Sequence, residues 1–154
     1  MSKSTLPRLK ALRDEMGKAG ITAFIIPGTD PHQSEYYASH WAARTWISGF
    51  DGSAGTAVVT TNQAGLWTDS RYFLQAAQQL EDSGFELFKE GLPDTPTIEQ
   101  WLLTTLPQGA TIAIDGTLFG ASKAAAMKQN FESHGFRFVS DFTPFDSIWE
   151  KRPS

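Results

Sequence analysis

Several stretches of this 154-residue chain hold side chains whose types could do chemistry. His32, Glu35 and His40 form the pattern H-x-x-E-x-x-x-x-H. Imidazole and carboxylate are metal ligands, but the H-E-x-x-H spacing that sets two imidazoles on one helical face is absent. The plainer reading is a set of polar side chains in a packed loop. Trp41, Arg44 and Trp46 lead into Ser48-Gly49-Phe50-Asp51-Gly52-Ser53-Ala54-Gly55. Backbone N–H groups of such a glycine-rich loop could cradle an anion. The loop lacks both the Lys-Ser/Thr pair of a phosphate loop and a G-x-G-x-x-G pattern. A nucleophile elbow needs glycine two residues before the serine, and before Ser53 that position is Asp51. The histidine downstream, His134, precedes Gly135, where side chains commonly satisfy the last carbonyls of a helix. Asp69-Ser70-Arg71 follows an apolar run, and open α/β sheets place ligands at strand carboxyl ends. The alternative there is a helix cap with an adjoining ion pair, and Asp115 reads the same way. None of these groups completes a catalytic constellation, which points to a recognition or assembly module.

The elements that must position these residues are legible from periodicity. Leu6, Leu9, Leu12 and Met16 recur at helical spacing, so a helix is expected over 5–18, with Ser4 or Thr5 as cap and Pro7 in its first turn. Apolar, β-rich runs predict strands over 21–26, 56–60, 64–68, 85–88, 111–114 and 136–139. Helices are expected over 39–47, from Asp69 or Ser70 to about Leu80, over 97–106 and over 121–133, with one more turn at 145–149. In the helix after Asp69, the buried side is assigned to Tyr72, Leu74, Ala76 and Ala77. About six strands alternating with amphipathic helices predict an α/β, three-layer domain with a mixed, about six-stranded sheet flanked by helices. The expected organisation is one domain over 1–147, with 148–154 starting a linker to a following domain.

Composition excludes several classes. With 40% hydrophobic and 19% charged residues, the chain is not disordered. Thirteen glycines and eight prolines are ordinary usage. A net charge of −4 gives no electrostatic footprint for nucleic acid or anionic lipid, so neither is expected as a partner. The lack of cysteine excludes disulfides, thiolate catalysis and cysteine-ligated metals. Residues 1–16 are amphipathic, with charges from Lys3 to Glu15, unlike a signal peptide. The longest apolar run, 23–27, is far below the ~18 residues of a membrane span. A cytoplasmic location is expected.

Longer motifs carry a resemblance. Asp30-Pro31-His32-Gln33-Ser34-Glu35-Tyr36, then 46–56 (WISGFDGSAGT), then 66–76 (LWTDSRYFLQA), resemble the amino-terminal domain of Xaa-Pro aminopeptidases, the aminopeptidase P branch of the creatinase/prolidase superfamily. Gly91-Leu92-Pro93-Asp94-Thr95-Pro96-Thr97 and Ile148-Trp149-Glu150-Lys151-Arg152-Pro153 match in the same order, so the resemblance spans 6–153. It implies a metallopeptidase that removes an N-terminal residue preceding proline. Its catalytic domain would hold two divalent metals, often manganese, and nothing in this chain matches the metal-ligand motifs. The implied partners are that missing catalytic domain, a second subunit in a homodimer, and X-Pro peptides. By itself the chain is expected to be inactive. The resemblance implies a role in substrate access and assembly, with His32, Glu35, Arg44, Phe50, Asp51, Ser53, Asp69 and Arg71 near substrate. Arg44 would meet a substrate carboxylate or carbonyl, Phe50 a substrate side chain, and Asp51 the loop or a substrate amine. The rival reading is a freestanding module that binds peptides or an anion in the 49–55 loop.

Overall fold

The strand β1 (Ala23–Pro27) is buried along its whole length, and the sheet is built outward from it. The computed structural model of the chain describes residues 5–28, 43–52 and 54–149. On one side β1 pairs antiparallel with β2 (Thr56–Thr60), Phe24 opposite Val59 and Pro27 opposite Thr56. β2 continues through a hairpin into β3 (Ala64–Thr68), which pairs parallel with β4 (Glu86–Lys89). On the other side β1 runs parallel to β5 (Thr111–Ala113), and β5 to β6 (Arg137–Val139). The result is one mixed six-stranded sheet of order β4-β3-β2-β1-β5-β6.

Side chains alternate across a strand, so each strand feeds two cores. Phe24 and Ile26 join Leu12, Met16, Ile47 and Ala76 on one face, beneath α1 (Thr5–Ala19), α2 (Ala43–Ser48), α3 (Phe73–Gln79) and α6 (Phe145–Ile148). Ala23 and Ile25 join Leu102, Met127 and Phe131 on the other, beneath α4 (Ile98–Thr105) and α5 (Ala121–Ser133). Helices on both faces of the sheet make the expected three layers.

Local chemistry explains where element boundaries depart from expectation. The strand expected from residue 21 begins at Ala23, because the Ile21 amide donates to the Met16 carbonyl and finishes α1. Of the helix expected over 39–47, the described part is Ala43–Ser48, and 39–42 lie outside the described residues. Thr97 is a cap, not a helical residue. Its hydroxyl accepts from the Gln100 amide while the Gln100 side chain accepts from the Thr97 amide. The buried side expected for the third helix is corrected. Ala76 is fully buried, but Leu74 is 75% exposed and Ala77 is exposed. The cause is the tight 3₁₀ turn Ser70–Tyr72 ahead of α3. A 3₁₀ turn advances three residues per turn instead of 3.6 and shifts the helical phase that follows.

Two contacts tie the first face together. Arg13 on α1 donates from Nε to the Thr60 carbonyl and from a terminal nitrogen to Gln63, which clamps the β2–β3 hairpin. Arg8 donates to the Trp46 carbonyl at 2.8 Å and lies 4.7 Å over the Trp46 ring, and Trp149 stacks on that ring at 5.3 Å. Ile148 and Trp149, within the stretch expected to start a linker, therefore pack against the core.

Gly65 of β3 tests the tightness of the second core. Trp67 and Phe88 stack there with ring centroids 4.0 Å apart, and a Cβ on Gly65 would stand 2.7 Å from atoms of both rings. Both rings are buried, so neither can yield. Gly65→Ala is expected to cost about 1–3 kcal/mol, read as a lowered denaturation midpoint with unchanged slope in urea.

Candidate functional site

Arg44, on α2, is buried to 0% exposure. A guanidinium cannot shed its proton, so its charge has to be met where it lies. It donates to the Gly55 carbonyl at 3.1 Å and, by a shorter contact, to the Gly52 carbonyl. The Phe50 ring, also fully buried, lies 5.1 Å from its guanidinium carbon. The loop is thus wrapped around the cation. Gly52 is required because a Cβ there would run into the Phe50 ring, and Gly49 because its φ of +85° is left-handed.

Further bonds pin the rest of the loop. The Ser48 hydroxyl donates to the Arg44 carbonyl and accepts from the Phe50 amide. Thr68, at the carboxyl end of β3, donates its hydroxyl to the Ala54 carbonyl at 2.8 Å. The Asp51 carboxylate accepts from Gln75 at 2.8 Å and from Gln79 at 2.9 Å, both on α3, and the Asp51 amide donates to the Gln79 side chain.

The turn after β3 stands beside this loop. Phe50 packs edge-on against Tyr72, with centroids 5.9 Å apart. Asp69 accepts from the Arg71 amide and from two nitrogens of its guanidinium at 3.1 and 2.9 Å. Those bonds hold the Asp69 carboxyl below the usual carboxylate range. Glu90, just past the end of β4, moves the other way: partial desolvation of its exposed carboxyl raises its pKa first, and the Asp69 charge adds to it.

Sequence-predicted residues therefore converge. Phe50 and Asp51 share the loop that wraps Arg44 of α2, and Asp69 and Arg71 lie on the adjoining turn. Arg44 and Phe50 are placed beneath the loop, where Arg44 meets the loop's own carbonyls and Phe50 meets Tyr72. His32, Glu35, His40, Trp41 and Ser53 lie outside the described residues. Asp115 is elsewhere, bridged to Asp141 at the end of β5. His134 caps α5, with Nδ1 2.8 Å from the Asn130 carbonyl. Gln75, Gln79, Thr68 and Glu90 were not foreseen. The i, i+4 spacing of the two glutamines marks a shared helix face, but nothing in sequence ties that face to Asp51. Among the described residues no group of three or more histidines, aspartates or glutamates is placed to hold a metal ion, so these residues do not fit a metal centre. Among them, too, no helix is long and apolar enough to cross a membrane.

Two measurements test this geometry. Arg44→Met leaves the buried Gly52 carbonyl and the half-buried Gly55 carbonyl without their donor and is expected to cost about 2–4 kcal/mol. Arg44→Lys should recover less than half, because an ammonium lacks the planar fork. Glu90→Gln tests the raised carboxyl. A carboxyl that binds its proton more tightly in the folded state makes stability fall as pH rises through the interval between its unfolded and folded pKa. The variant should melt higher than the parent near pH 7 and match it near about pH 3, where both states are protonated.

The comparisons fit this framework. Residues 8–151 match the model of the creatinase/prolidase N-terminal domain. Aminopeptidase P2 of Arabidopsis thaliana is 44% identical over 96% of this chain, and a probable Xaa-Pro aminopeptidase P of Laccaria bicolor is 44% identical over 98%. The chain spans 21% and 24% of the length of these two relatives. The X-prolyl aminopeptidase of Caenorhabditis elegans, described as a cytosolic enzyme with a di-nuclear active site, superposes with a TM-score of 0.90 at 33% identity. That match covers 99% of this chain and 26% of the other. An aminopeptidase P structure from Streptococcus thermophilus shares the fold, with a TM-score of 0.70 at 20% identity over 96% of this chain and 99% of that one. With a family model matched along nearly its whole length, the chain belongs to the creatinase/prolidase N-terminal domain family.

Proposed function

We propose that this chain is the non-catalytic amino-terminal domain of an Xaa-Pro aminopeptidase, and that it shapes substrate access and assembly of the enzyme. The observation that carries the reading is the C. elegans superposition, which takes in almost all of this chain and about a quarter of that enzyme. In this reading the catalytic domain lies in protein beyond this one and holds two divalent metals, manganese by expectation. The described residues do not form that centre, so no step of the reaction is assigned to them. The enzyme acts on X-Pro peptides in the cytoplasm as a homodimer.

The 49–55 loop and the 69–71 turn are the recognition surface. Arg44 and Phe50 support it from below. Asp51 and the Asp69–Arg71 pair form its exposed rim, and Asp51 can receive a substrate amine. His32, Glu35 and Ser53 join the surface on sequence resemblance. Preorganisation is what such a surface contributes: a loop already ordered by its own bonds loses little freedom when substrate arrives.

Hydrolysis of an X-Pro-Pro tripeptide with Mn²⁺ tests the assignment. This chain should be silent, and a longer protein that includes the following domains should turn over and lose activity to a chelator. Turnover by this chain that survives repurification would overturn the reading. In the longer protein, Arg71→Ala should raise KM about fivefold to tenfold with kcat held, the pattern of lost uniform binding. An unchanged KM would remove the turn from the recognition surface.

A further inference from the structure

A concavity lies on the opposite side of the sheet from the glycine loop's supporting helices. α4 packs over β3 and β4, where Trp101 meets Trp67 and Phe88, and α5 packs toward β6, where Phe131 meets Phe138. Between the two helices a cleft reaches down to the sheet. The floor of the resulting cleft is Ile25 of β1 and Thr56 at the start of β2. Ile98, Phe119 and Met127 form apolar walls. The cleft measures about 340 Å³, the low end of small-molecule sites at about 300–1,000 Å³. Thr56 lies opposite Pro27, so the cleft faces the carboxyl end of β1, where open α/β sheets place ligands.

Two charges of opposite sign complete the lining. Glu99, in the first turn of α4, is held by the Asn130 amide of α5, which donates to its Oε2 at 2.7 Å. That bond ties the two helices together and leaves the second carboxylate oxygen to accept. Lys123 lies across on α5, its ammonium 5.5 Å from the Phe119 ring centroid. Among the described residues Lys123 makes no ion pair. A carboxylate alone would be repelled by Glu99, and an amine alone by Lys123. A molecule carrying both groups on an apolar body meets both charges and the apolar walls, with Thr56 and Thr97 also in the lining.

We propose that this cleft binds a small zwitterion with an apolar side chain, the chemistry of a free apolar α-amino acid. The ammonium goes to Glu99, the carboxylate to Lys123, and the side chain onto Ile98, Phe119 and Met127. This site is separate from the glycine loop and does not rest on the peptidase reading.

Titration of the ¹⁵N-labelled chain with L-leucine tests the proposal, with leucinamide and N-acetyl-leucine as probes that each lack one charge. Leucine should shift resonances of Ile25, Thr56, Ile98 and Lys123 in a saturable manner. Lys123→Gln should weaken leucine about tenfold, the effect expected for one charge-assisted contact, and should not alter leucinamide. Glu99→Gln should weaken leucine and spare N-acetyl-leucine. The amide introduced by Glu99→Gln keeps a carbonyl oxygen that can accept from Asn130, and Lys123 makes no ion pair among the described residues, so both variants should keep the parent's melting temperature. Absence of saturable shifts with millimolar leucine overturns the proposal, as does leucine binding that is unchanged in both variants.

Discussion

One buried positive charge sets the path of the chain around the candidate site. Arg44 sits out of contact with water, and a charge moved out of water costs several kcal/mol unless its surroundings replace the lost hydration. Gly52 and Gly55 supply carbonyl oxygens, and Phe50 supplies the negative face of a ring. Side chains larger than hydrogen would keep the loop from closing on the guanidinium. The glycines, the aromatic and the arginine are therefore one device, and their neighbourhood in sequence follows from it. The loop's outer residues then need only a few further bonds, from Gln75 and Gln79 at the surface and from buried Thr68, to be held in place.

The sheet divides its work by face. The face under α1, α2, α3 and α6 supports the loop and turn, and the face under α4 and α5 encloses the aromatic cluster of Trp67, Phe88 and Trp101. Central strands serve both at once. Within β1, Phe24 and Ile26 belong to the first core while Ala23 and Ile25 belong to the second. A change in β1 is felt in both layers, whereas a change on an outer helix surface is felt in one.

The strands at 56–60 and 64–68 and the helix over 121–133 were legible because apolar periodicity, turns and stop signals coincide there. Strand ends slipped by a residue or two where a backbone amide was already committed, as at Ile21. The phase of α3 was not legible, since nothing in Ser70-Arg71-Tyr72 announces a tight 3₁₀ turn. For the site, residue types pointed to the right segments but not to their depth. Arginine and phenylalanine beside glycines suit a contact surface or a buried anchor equally well, and only the packing distinguishes the two. Long-range partners such as Asp51 and Gln79 leave no local trace, because a surface hydrogen bond across 28 positions imposes no pattern on either neighbourhood.

The stack of Arg8, Trp46 and Trp149 has a mechanical consequence. It brings the start of α1 and the residue after α6 to the same side of the molecule. A pull applied between those two points loads this stack first and peels it open one contact at a time. The stack acts as a clasp between the first and the last described helix.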